Sequence, residues 1–384
     1  MDYTRIMQSL LTETKLLARN VQGEHRRLLT FHDPSLYREC ISQWKHLADH
    51  GPLHPSVTCS PLTQTIIAPA SRTAVIEKEF REELTVEEDS RIHIHAVQGS
   101  IATLTGIPWG VKHIKAPQAW SVSTGHRIKI GVIDTGVDFA HPDLKHSLGR
   151  GINLVNRAIP PYDDNGHGTH ISGTIAAANS TRGMIGVAPR SIVYPVKAFD
   201  HNGSAFVSDI VLAIDWCIRN QVDIINMSFG MQSRSRALLE VVGKANQSGV
   251  IIVASSGNDG KRRTADYPAR YPQTISVGAT DRNRKIPSFS NRGQFVDIYA
   301  PGDKIVSAWL QGRYHEMSGT SMATSHISGT IALLLAQRPG LRTTAIKSLL
   351  RRTSTPLRLR KGYSHSDGEV NALKFLREGM KLQG

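Results

Sequence analysis

The chain has 384 residues, of which 40% are hydrophobic and 20% charged, and its formal net charge is +14. This composition is typical of a globular protein with room for one large domain and a smaller one, and it excludes a disordered chain. No run approaches the roughly 18 apolar residues that a transmembrane helix needs, so we expect no membrane partner.

The N-terminal residues and the cysteines indicate the cellular compartment of the protein. Residues 1–20 predict a short amphipathic helix, because their hydrophobic residues are separated by polar ones at helical spacing, and they lack the apolar core of a secretory signal. We therefore expect a cytoplasmic protein, or one exported by a route that the sequence does not reveal. Three cysteines, too few for a disulfide framework and without metal-ligand spacing, suit a reducing compartment: Cys40, Cys59 and Cys217.

Residues 1–103 differ from the rest of the chain in charge and in pattern. They contain eleven Lys and Arg against thirteen Asp and Glu, which leaves a net charge of +16 for the remainder, so the two parts attract each other. The pattern predicts a strand in "TQTIIAP", a charged helix in "VIEKEFREELTVEED" and an alternating strand in "SRIHIHAV". These elements indicate a small α+β unit, with "QGSIATLTG" as the linker that follows it.

From about residue 126 the sequence becomes regular. Short runs rich in Ile and Val ("IKIGVID", "SIVYPVKAF", "VDIINMSF", "GVIIVASSG" and "TISVGAT") alternate with helical stretches such as 207–220 and 235–247. Strands without polar alternation are buried on both faces, so the pattern predicts a parallel sheet covered by helices, an α/β fold. Within "VLAIDWCIRN", Cys217 is predicted to be a buried helix residue.

Three polar residues stand where an open α/β sheet forms its sites, beyond the carboxyl ends of strands. Asp134 ends "IKIGVID", His167 opens the helix "THISGTIAAA", and Ser321 begins the apolar helix in "SGTSMATSHISGTIALLLA". A serine hydroxyl becomes a nucleophile when an imidazole takes its proton and a buried carboxylate orients that imidazole. A turn, core packing or a helix cap explains each residue alone, but their combination indicates nucleophilic catalysis.

Four blocks make residues 104–372 resemble the subtilisin-like serine proteases, the subtilases: "VIDTGVDFAHPDL", "NGHGTHISGTIAA", "ASSGND" and "SGTSMATSHISG". The chain order Asp, His, Ser is the order described for subtilisin. The resemblance implies a doubly wound, mainly parallel seven-stranded sheet with helices on both faces, preceded by a small α+β propeptide-like domain. It also implies peptide-bond hydrolysis through an acyl-enzyme, with no cofactor for catalysis.

The resemblance assigns further residues to the site. It implies that Asn258 is the side-chain donor of an oxyanion hole, beside the backbone N–H of Ser321. Two extended segments are expected to sandwich a substrate strand by main-chain pairing. The residues expected to bind substrate are Gly203, Ser228, Phe229, Gly230, Gly257 and Asp266.

Asp266 departs from the family pattern, which usually has a small residue at the base of the S1 pocket. Asp259 falls at the rim of that pocket. A carboxylate at the base of a narrow slot favours a cation, so we expect Lys or Arg at P1, the substrate residue before the cut bond. The alternative is that Asp266 turns outward and pairs with Arg262 or Arg263.

Two stretches of the sequence could belong to metal sites, one for zinc and one for calcium. The spacing "HGTH" lacks the intervening glutamate of a zinc protease motif, so His170 is expected to pack within its helix. Asp143 in "HPDL" matches a carboxylate of the family's calcium site, whereas Ser180 and Thr105 stand where amide side chains usually contribute. Calcium takes about six to eight oxygen ligands, so the sequence leaves a structural calcium open.

We expect two parts: residues 1–103 as a propeptide-like inhibitory region, and residues 104–384 as the catalytic domain with a basic C-terminal helical segment. The junction to be cut is expected within "GSIATLTG". Seven of the 17 histidines precede it, including His93 and His95; protonation at about pH 6 would loosen docking, unless they are ordinary exposed histidines.

The sequence thus predicts a serine endopeptidase made as a zymogen, with proteins or peptides as substrates and the N-terminal region as an intramolecular inhibitor. Two alternatives remain. One is a protein of the same fold that binds peptides without turnover. The other is a basic scaffold whose "LLRRTSTPLRLRKG" binds nucleic acid, which the absence of an aromatic-interleaved motif disfavours.

Overall fold

The computed structural model describes residues 25–48, 57–70, 73–104, 106–179, 183–357 and 368–382. The helix predicted within residues 1–20 lies outside these ranges, and so do Thr105 and Ser180. None of the described helices is long and apolar enough to cross a bilayer. The three cysteines are free.

The first unit is a four-stranded antiparallel sheet packed against two helices. Its spatial order is β2-β3-β1-β4. Leu29, Ile66 and Cys40 are among the buried side chains that join sheet and helices into one core. In chain order the elements are β1 (Arg26–Phe31), α1 (Pro34–Ala48), β2 (Thr58–Ser60), β3 (Thr65–Pro69), α2 (Ala74–Glu79) and β4 (Leu84–Glu88).

The prediction of one helix for the charged stretch is wrong beyond Glu79, because the second half of that stretch forms strand β4. This strand pairs antiparallel with β1. Leu84 and Val86 alternate with polar residues, so a strand turns both side chains toward the core of the small unit. The β-branched residues Thr85 and Val86 also favour a strand. Cross-strand pairing thus outweighs the helical preference of the glutamates.

Two further strands cross the large domain. They are β5 (Arg91–Ile94) and β6 (Val97–Ala102). Strand β5 is the middle of a three-stranded antiparallel sheet between β10 (Ser204–Phe206) and β12 (Phe229–Gly230). Strand β6 pairs antiparallel with β17 (Arg313–Ser318), which also pairs with β16 (Ile305–Trp309). The stretch expected as a linker is therefore largely strand, paired to the large domain.

The large domain is built on a nine-stranded sheet of order β18-β19-β15-β14-β13-β11-β7-β9-β8. Every neighbouring pair is parallel except β18 with β19. The seven strands from β15 to β8 match the predicted parallel sheet, and two two-residue strands extend its edge. The strands are β7 (Lys129–Asp134), β8 (Ile152–Asn153), β9 (Ile192–Lys197), β11 (Ile224–Met227), β13 (Ile251–Ser255), β14 (Thr274–Thr280), β15 (Ile298–Pro301), β18 (Thr355–Pro356) and β19 (Gly368–Glu369).

Helices cover both faces of this sheet, as predicted. Neighbouring residues of one strand enter different cores: Ile224 packs with the buried side chains of α5 and α8, whereas Ile225 packs with those of α6 and α7. Cys217 is fully buried in the second core, as expected. The helices are α3 (Trp109–His113), α4 (Ala116–Ala119), α5 (His167–Ala176), α6 (Val207–Arg219), α7 (Arg236–Gln247), α8 (Thr320–Leu335), α9 (Thr343–Thr353) and α10 (Ala372–Met380).

Two carboxylates of the small unit cap helices of the large domain. Phe206, before α6, offers no side-chain acceptor, and Asp89 instead accepts hydrogen bonds from Ser208 N at 2.9 Å and Ser208 Oγ at 2.6 Å. Glu87 accepts from the backbone N–H groups of Arg236 and Ala237, each at 2.8 Å. A negative charge at a helix N-terminus satisfies free N–H groups and opposes the positive end of the dipole.

Removing one of these caps should loosen the docked strand. In a full-length Ser321→Ala background, Glu87→Ala is expected to weaken docking by about 1 kcal/mol, which raises exchange of the β5 amides about five-fold in a hydrogen-exchange measurement. Glu88→Ala is the matched control, because Glu88 pairs with Arg27 inside the small unit. Equal effects of the two substitutions would contradict the capping role.

Candidate active site

A buried carboxylate and imidazole lie at the carboxyl edge of the sheet. Asp134 is the last residue of β7, and its Oδ1 accepts hydrogen bonds from His167 Nδ1 at 2.7 Å and from the Thr135 N–H at 2.8 Å. Both Asp134 and His167 are fully buried. The other ring nitrogen, His167 Nε2, has no hydrogen-bond partner in the described part of the chain. With Nδ1 donating to the carboxylate, Nε2 is left to accept a proton.

The loop before α5 fixes the position of His167. Asp163 Oδ1 accepts from the N–H groups of Asn165 and Gly166, and its Oδ2 accepts from the N–H and hydroxyl of Thr169. Gly166 has φ +106°, a left-handed conformation that glycine adopts without steric cost. One carboxylate therefore ties the turn to the first helical turn and presents the imidazole.

His170, one turn further along α5, has a different environment. Its Nε2 lies 3.0 Å from the Ile305 carbonyl and 3.1 Å from the His315 carbonyl. Burial, assisted by the neighbouring His167, lowers the pKa of His170 to about 3, so the ring is neutral near pH 7. The two histidines contact different partners, and His170 packs as the sequence predicted.

Ser321 lies in the first turn of α8, at the same edge of the sheet. Its Oγ lies 2.6 Å from the carbonyl oxygen of His95 and 2.8 Å from that of Ser228. The free N–H groups of a helix N-terminus favour negative charge that develops beside them. The hydroxyl thus stands against a peptide carbonyl of the chain's own N-terminal segment.

Asn258 lies beside Gly319, at the start of the same helix. Its Oδ1 accepts from the N–H of Thr320 at 3.0 Å and from its hydroxyl at 2.9 Å, which orients the amide. Its Nδ2 is buried without a hydrogen-bond partner among the described residues. A β carbon on Gly319 would collide with the His95 carbonyl oxygen and lie 3.1 Å from Asn258 Nδ2. Glycine therefore leaves room for an oxygen between the helix and this donor.

The segments expected to bind substrate hold strand β5. On one side, Ile94 N donates to Gly203 O at 3.2 Å and the strand pairs with β10. On the other, His95 N donates to Ser228 O at 3.1 Å, and Phe229 and Gly230 pair with β5. Residues 91–95 therefore lie in the groove as an extended peptide, with the His95 carbonyl at Ser321.

The His95 side chain occupies the pocket that contains Asp266. Its Nδ1 lies 2.8 Å from Ser255 Oγ, and its Nε2 lies 3.1 Å from Asp266 Oδ2. A β carbon on Gly230 would collide with the imidazole, and one on Gly257 would lie 2.7 Å from Asp266 Oδ2, so both glycines are needed for this space. The expectation that His95 is an exposed histidine is wrong, because 8% of it is exposed.

Asp266 faces the pocket, as the sequence predicted, but its partner there is a histidine and not Lys or Arg. The residue is 7% exposed and its carboxylate contacts the His95 ring, so the prediction that Asp266 turns outward is wrong. Asp259 lies apart at the rim, where it pairs with Lys261 at 2.8 Å and accepts from Gln232.

Sequence reasoning missed Ser255 and the position of His95. Ser255 was part of an apolar strand, and nothing in its spacing marks its hydroxyl as facing a pocket. The alternation in "RIHIHA" did predict a strand, but pairing with a distant part of the chain decides which sheet that strand joins.

Hydrogen-bond donors surround the carboxylate of Asp143. Its Oδ1 accepts from Asn179 Nδ2 at 2.8 Å, and its Oδ2 accepts from Met184 N at 2.9 Å and from the Tyr314 hydroxyl at 2.7 Å. Calcium requires a cage of oxygen acceptors, and these three described neighbours present N–H and O–H groups instead. Within the described ranges no cluster of three or more acidic, His or Cys side chains is arranged to hold a metal ion. Ser180 and Thr105, the other two positions named for a calcium site, lie outside the described residues, so the structural calcium stays a prediction.

A parallel sheet wound on both faces, with a buried Asp–His pair and a serine at a helix N-terminus, defines a serine hydrolase of the α/β class. The model of the subtilase family, Peptidase_S8, matches residues 125–372. The chain therefore belongs to the subtilase family.

Individual relatives agree with this assignment. The chain is 42% identical to subtilisin E of Bacillus subtilis (strain 168) over 277 residues, which cover 71% of this chain and 70% of the relative. It is 43% identical to a subtilisin of Bacillus pumilus over 256 residues, 65% of this chain and 92% of the relative. It is 36% identical to the thermostable alkaline protease of Halalkalibacterium halodurans over 290 residues, 75% of this chain and 78% of the relative. The protein is thus a subtilisin-like serine protease, with proteins or peptides as its substrates.

The hydrogen bonds at Asp143 generate a stability prediction. Burial and the hydrogen bond to Asp143 raise the pKa of the Tyr314 phenol, which keeps it a neutral donor. Tyr314→Phe removes one of the three donors and is expected to lower the free energy of unfolding by about 1–3 kcal/mol in urea, measured with a chelator present. Tyr162→Phe, at an exposed tyrosine, is the control. An unchanged stability would show that this hydroxyl does not support the carboxylate.

Proposed function

We propose that the protein is a serine endopeptidase made as a zymogen, which uses Asp134, His167 and Ser321 and first cuts its own chain between His95 and Ala96. The observation that carries this proposal is the distance of 2.6 Å between Ser321 Oγ and the His95 carbonyl oxygen, in a strand held on both sides by the large domain.

Each proposed step has a group to perform it. His167 Nε2 takes the proton of Ser321 Oγ as that oxygen bonds to the carbonyl carbon, and Asp134 stabilises the resulting imidazolium. Asn258 Nδ2 and the Ser321 N–H hold the negative oxygen of the tetrahedral intermediate. His167 returns the proton to the leaving amine, the C–N bond breaks, and water then releases the acyl group by the same steps in reverse. The unpartnered Nε2 and Nδ2 atoms support these assignments.

The N-terminal region acts in this proposal as an intramolecular inhibitor. Strand β5 fills the groove by main-chain pairing, and Glu87 and Asp89 hold the adjoining unit on α7 and α6. These contacts lie before the bond to be cut, so they persist after cleavage and keep the groove filled. We therefore place the cut after His95, ahead of the junction at "GSIATLTG" and the boundary at residue 103 that the sequence predicted.

The two alternatives receive less support. A peptide-binding protein without turnover does not explain why a proton acceptor and an amide donor are buried without partners beside the bound carbonyl. For the nucleic-acid scaffold, part of the basic C-terminal segment lies outside the described residues. Within its described part, Arg351 pairs with Asp297, which reduces the positive charge available to phosphates.

Self-cleavage gives the test. The purified wild-type protein is expected to yield a fragment that begins at Ala96 in intact-mass and N-terminal measurements, whereas Ser321→Ala and His167→Ala leave the chain whole. Because the triad acts as a unit, the double variant should be little worse than either single variant in peptide hydrolysis.

Ser325→Ala is the matched control on the same helix, because the Ser325 hydroxyl only donates to the Met322 carbonyl. This variant should still be cut and should react with a serine-directed phosphonate at Ser321. Cleavage of the Ser321→Ala chain after His95, or additive losses in the double variant, would refute the assignment.

A further inference from the structure

We propose that Ser255 and Asp266 make the S1 pocket selective for histidine at P1, so that the preferred substrates are extended segments cut after a histidine. This inference rests on the proposed function. It replaces the Lys or Arg preference expected from the sequence.

The first argument is that both ring nitrogens of His95 are held from different elements. Ser255, at the end of β13, contacts Nδ1 at 2.8 Å, and Asp266, in the loop before β14, contacts Nε2 at 3.1 Å. All three residues are buried. Buried polar groups are costly unless paired, and here each of the two nitrogens has a partner.

The second argument concerns donors and acceptors. Asp266 is an acceptor for an N–H at Nε2. The hydroxyl of Ser255 lies 3.5 Å from the carbonyls of Met227 and Phe229, so its proton has acceptors there while its oxygen accepts from Nδ1. If the hydroxyl turns, it donates to an unprotonated Nδ1 instead. The pocket therefore satisfies the imidazolium and also the neutral imidazole with a proton on Nε2.

The third argument is the cost of other side chains. Phe or Leu at P1 would displace the ring and leave the Asp266 carboxylate buried without a partner, which costs more than a buried apolar contact gains. The His95 ring already reaches the carboxylate, so the longer side chains of Lys and Arg have to fold back to meet it. The rigid imidazole ring places one nitrogen at Ser255 and the other at Asp266, whereas Lys and Arg have to order a longer, flexible side chain to meet either group.

The Ser255 hydroxyl distinguishes a pocket selective for histidine from a pocket that selects positive charge alone. A pocket with Asp266 as its single polar group would accept any cation of suitable length. Ser255 adds a second polar contact on another edge of the ring, and His95 uses it.

The experiment compares P1 residues with the mature enzyme. Peptides carry residues 91–94 of this chain before a P1 residue that is His, Gln, Phe, Leu, Lys or Arg, followed by the same leaving segment. At about pH 6.5 the ratio kcat/KM for His is expected to exceed those for Phe and Leu at least ten-fold, and those for Lys and Arg more modestly.

Variants connect the ratio to the two contacts. Asp266→Gly should bring the His-to-Phe ratio to one or below, and Ser255→Ala should reduce it several-fold while raising the relative rates of Lys and Arg. Glu378→Gln is the matched control: it also removes one carboxylate, but on α10, where Glu378 is paired with Lys381, so the ratio should stay within about two-fold. If the glycine variant fails to fold, Asp266→Asn takes its place in the experiment. This substitution keeps the shape of the side chain and should also lower the His-to-Phe ratio.

A second measurement needs no mature enzyme. In full-length chains, His95→Phe should slow self-cleavage, and adding Asp266→Gly should restore much of the rate, because the unpaired carboxylate is then gone. The coupling between the two substitutions measures the contact itself.

The outcomes separate the inference from the proposed function. If Phe, Leu, Lys or Arg equals or exceeds His, or if Asp266 and Ser255 substitutions leave the ratios unchanged, the selectivity for histidine is refuted while the protease assignment stands. Absence of turnover with every peptide, together with no phosphonate labelling at Ser321, would instead refute the proposed mechanism.

Discussion

The structure depends on helix α8, which is buried along its whole length between the sheet and the surrounding helices. A helix without a solvent face has to approach its neighbours closely: a β carbon on Gly329 would lie 2.6 Å from the β carbon of Val187. Its polar side chains have to find partners inside the protein. Thr324 and Thr330 donate to carbonyls one turn earlier, and Ser328 donates to Asn226 on the neighbouring strand. These contacts fix the position of the helix in the core, and with it the position of Ser321 in its first turn.

The same edge of the sheet supplies the other groups of the site. Parallel strands end at the same edge of a sheet, so Asp134 at the end of β7 and Asn258 after β13 lie on one edge although 124 positions separate them in the sequence. Asn226 Nδ2 donates to Ser228 Oγ, which ties the groove to the strand that also supports α8. In the proposed mechanism the rigid core presents a nucleophile, an acceptor for its proton and a donor for an oxyanion without reorganisation, which is how preorganised sites stabilise charge.

The N-terminal segment exploits two needs that the large domain leaves unmet. At the starts of α6 and α7 the backbone N–H groups of Ser208, Arg236 and Ala237 need acceptors, and β10 and β12 present strand edges to the groove between them. Glu87 and Asp89 answer the first need, and β5 answers the second. Helix ends and strand edges carry little side-chain specificity, so in the proposed function a different peptide can take the place of β5. Discrimination then falls to side-chain pockets, where Ser255 and Asp266 bring polar groups into a buried space.

The sequence by itself determined the fold class and the chemistry of the large domain. Runs such as "TISVGAT" and "GVIIVASSG" identify buried parallel strands because local periodicity records burial on both faces, and the motif blocks carry the residues of the site. Tertiary structure alone decided that Leu84–Glu88 is a strand, that β5 joins the large domain, and that His95 lies on Ser321 with its ring against Asp266. Each of these depends on contacts between residues far apart in the chain. Such contacts leave no period in the sequence, since the pairing energy comes from backbone edges and pocket walls that exist only after the sheet and its helices have packed.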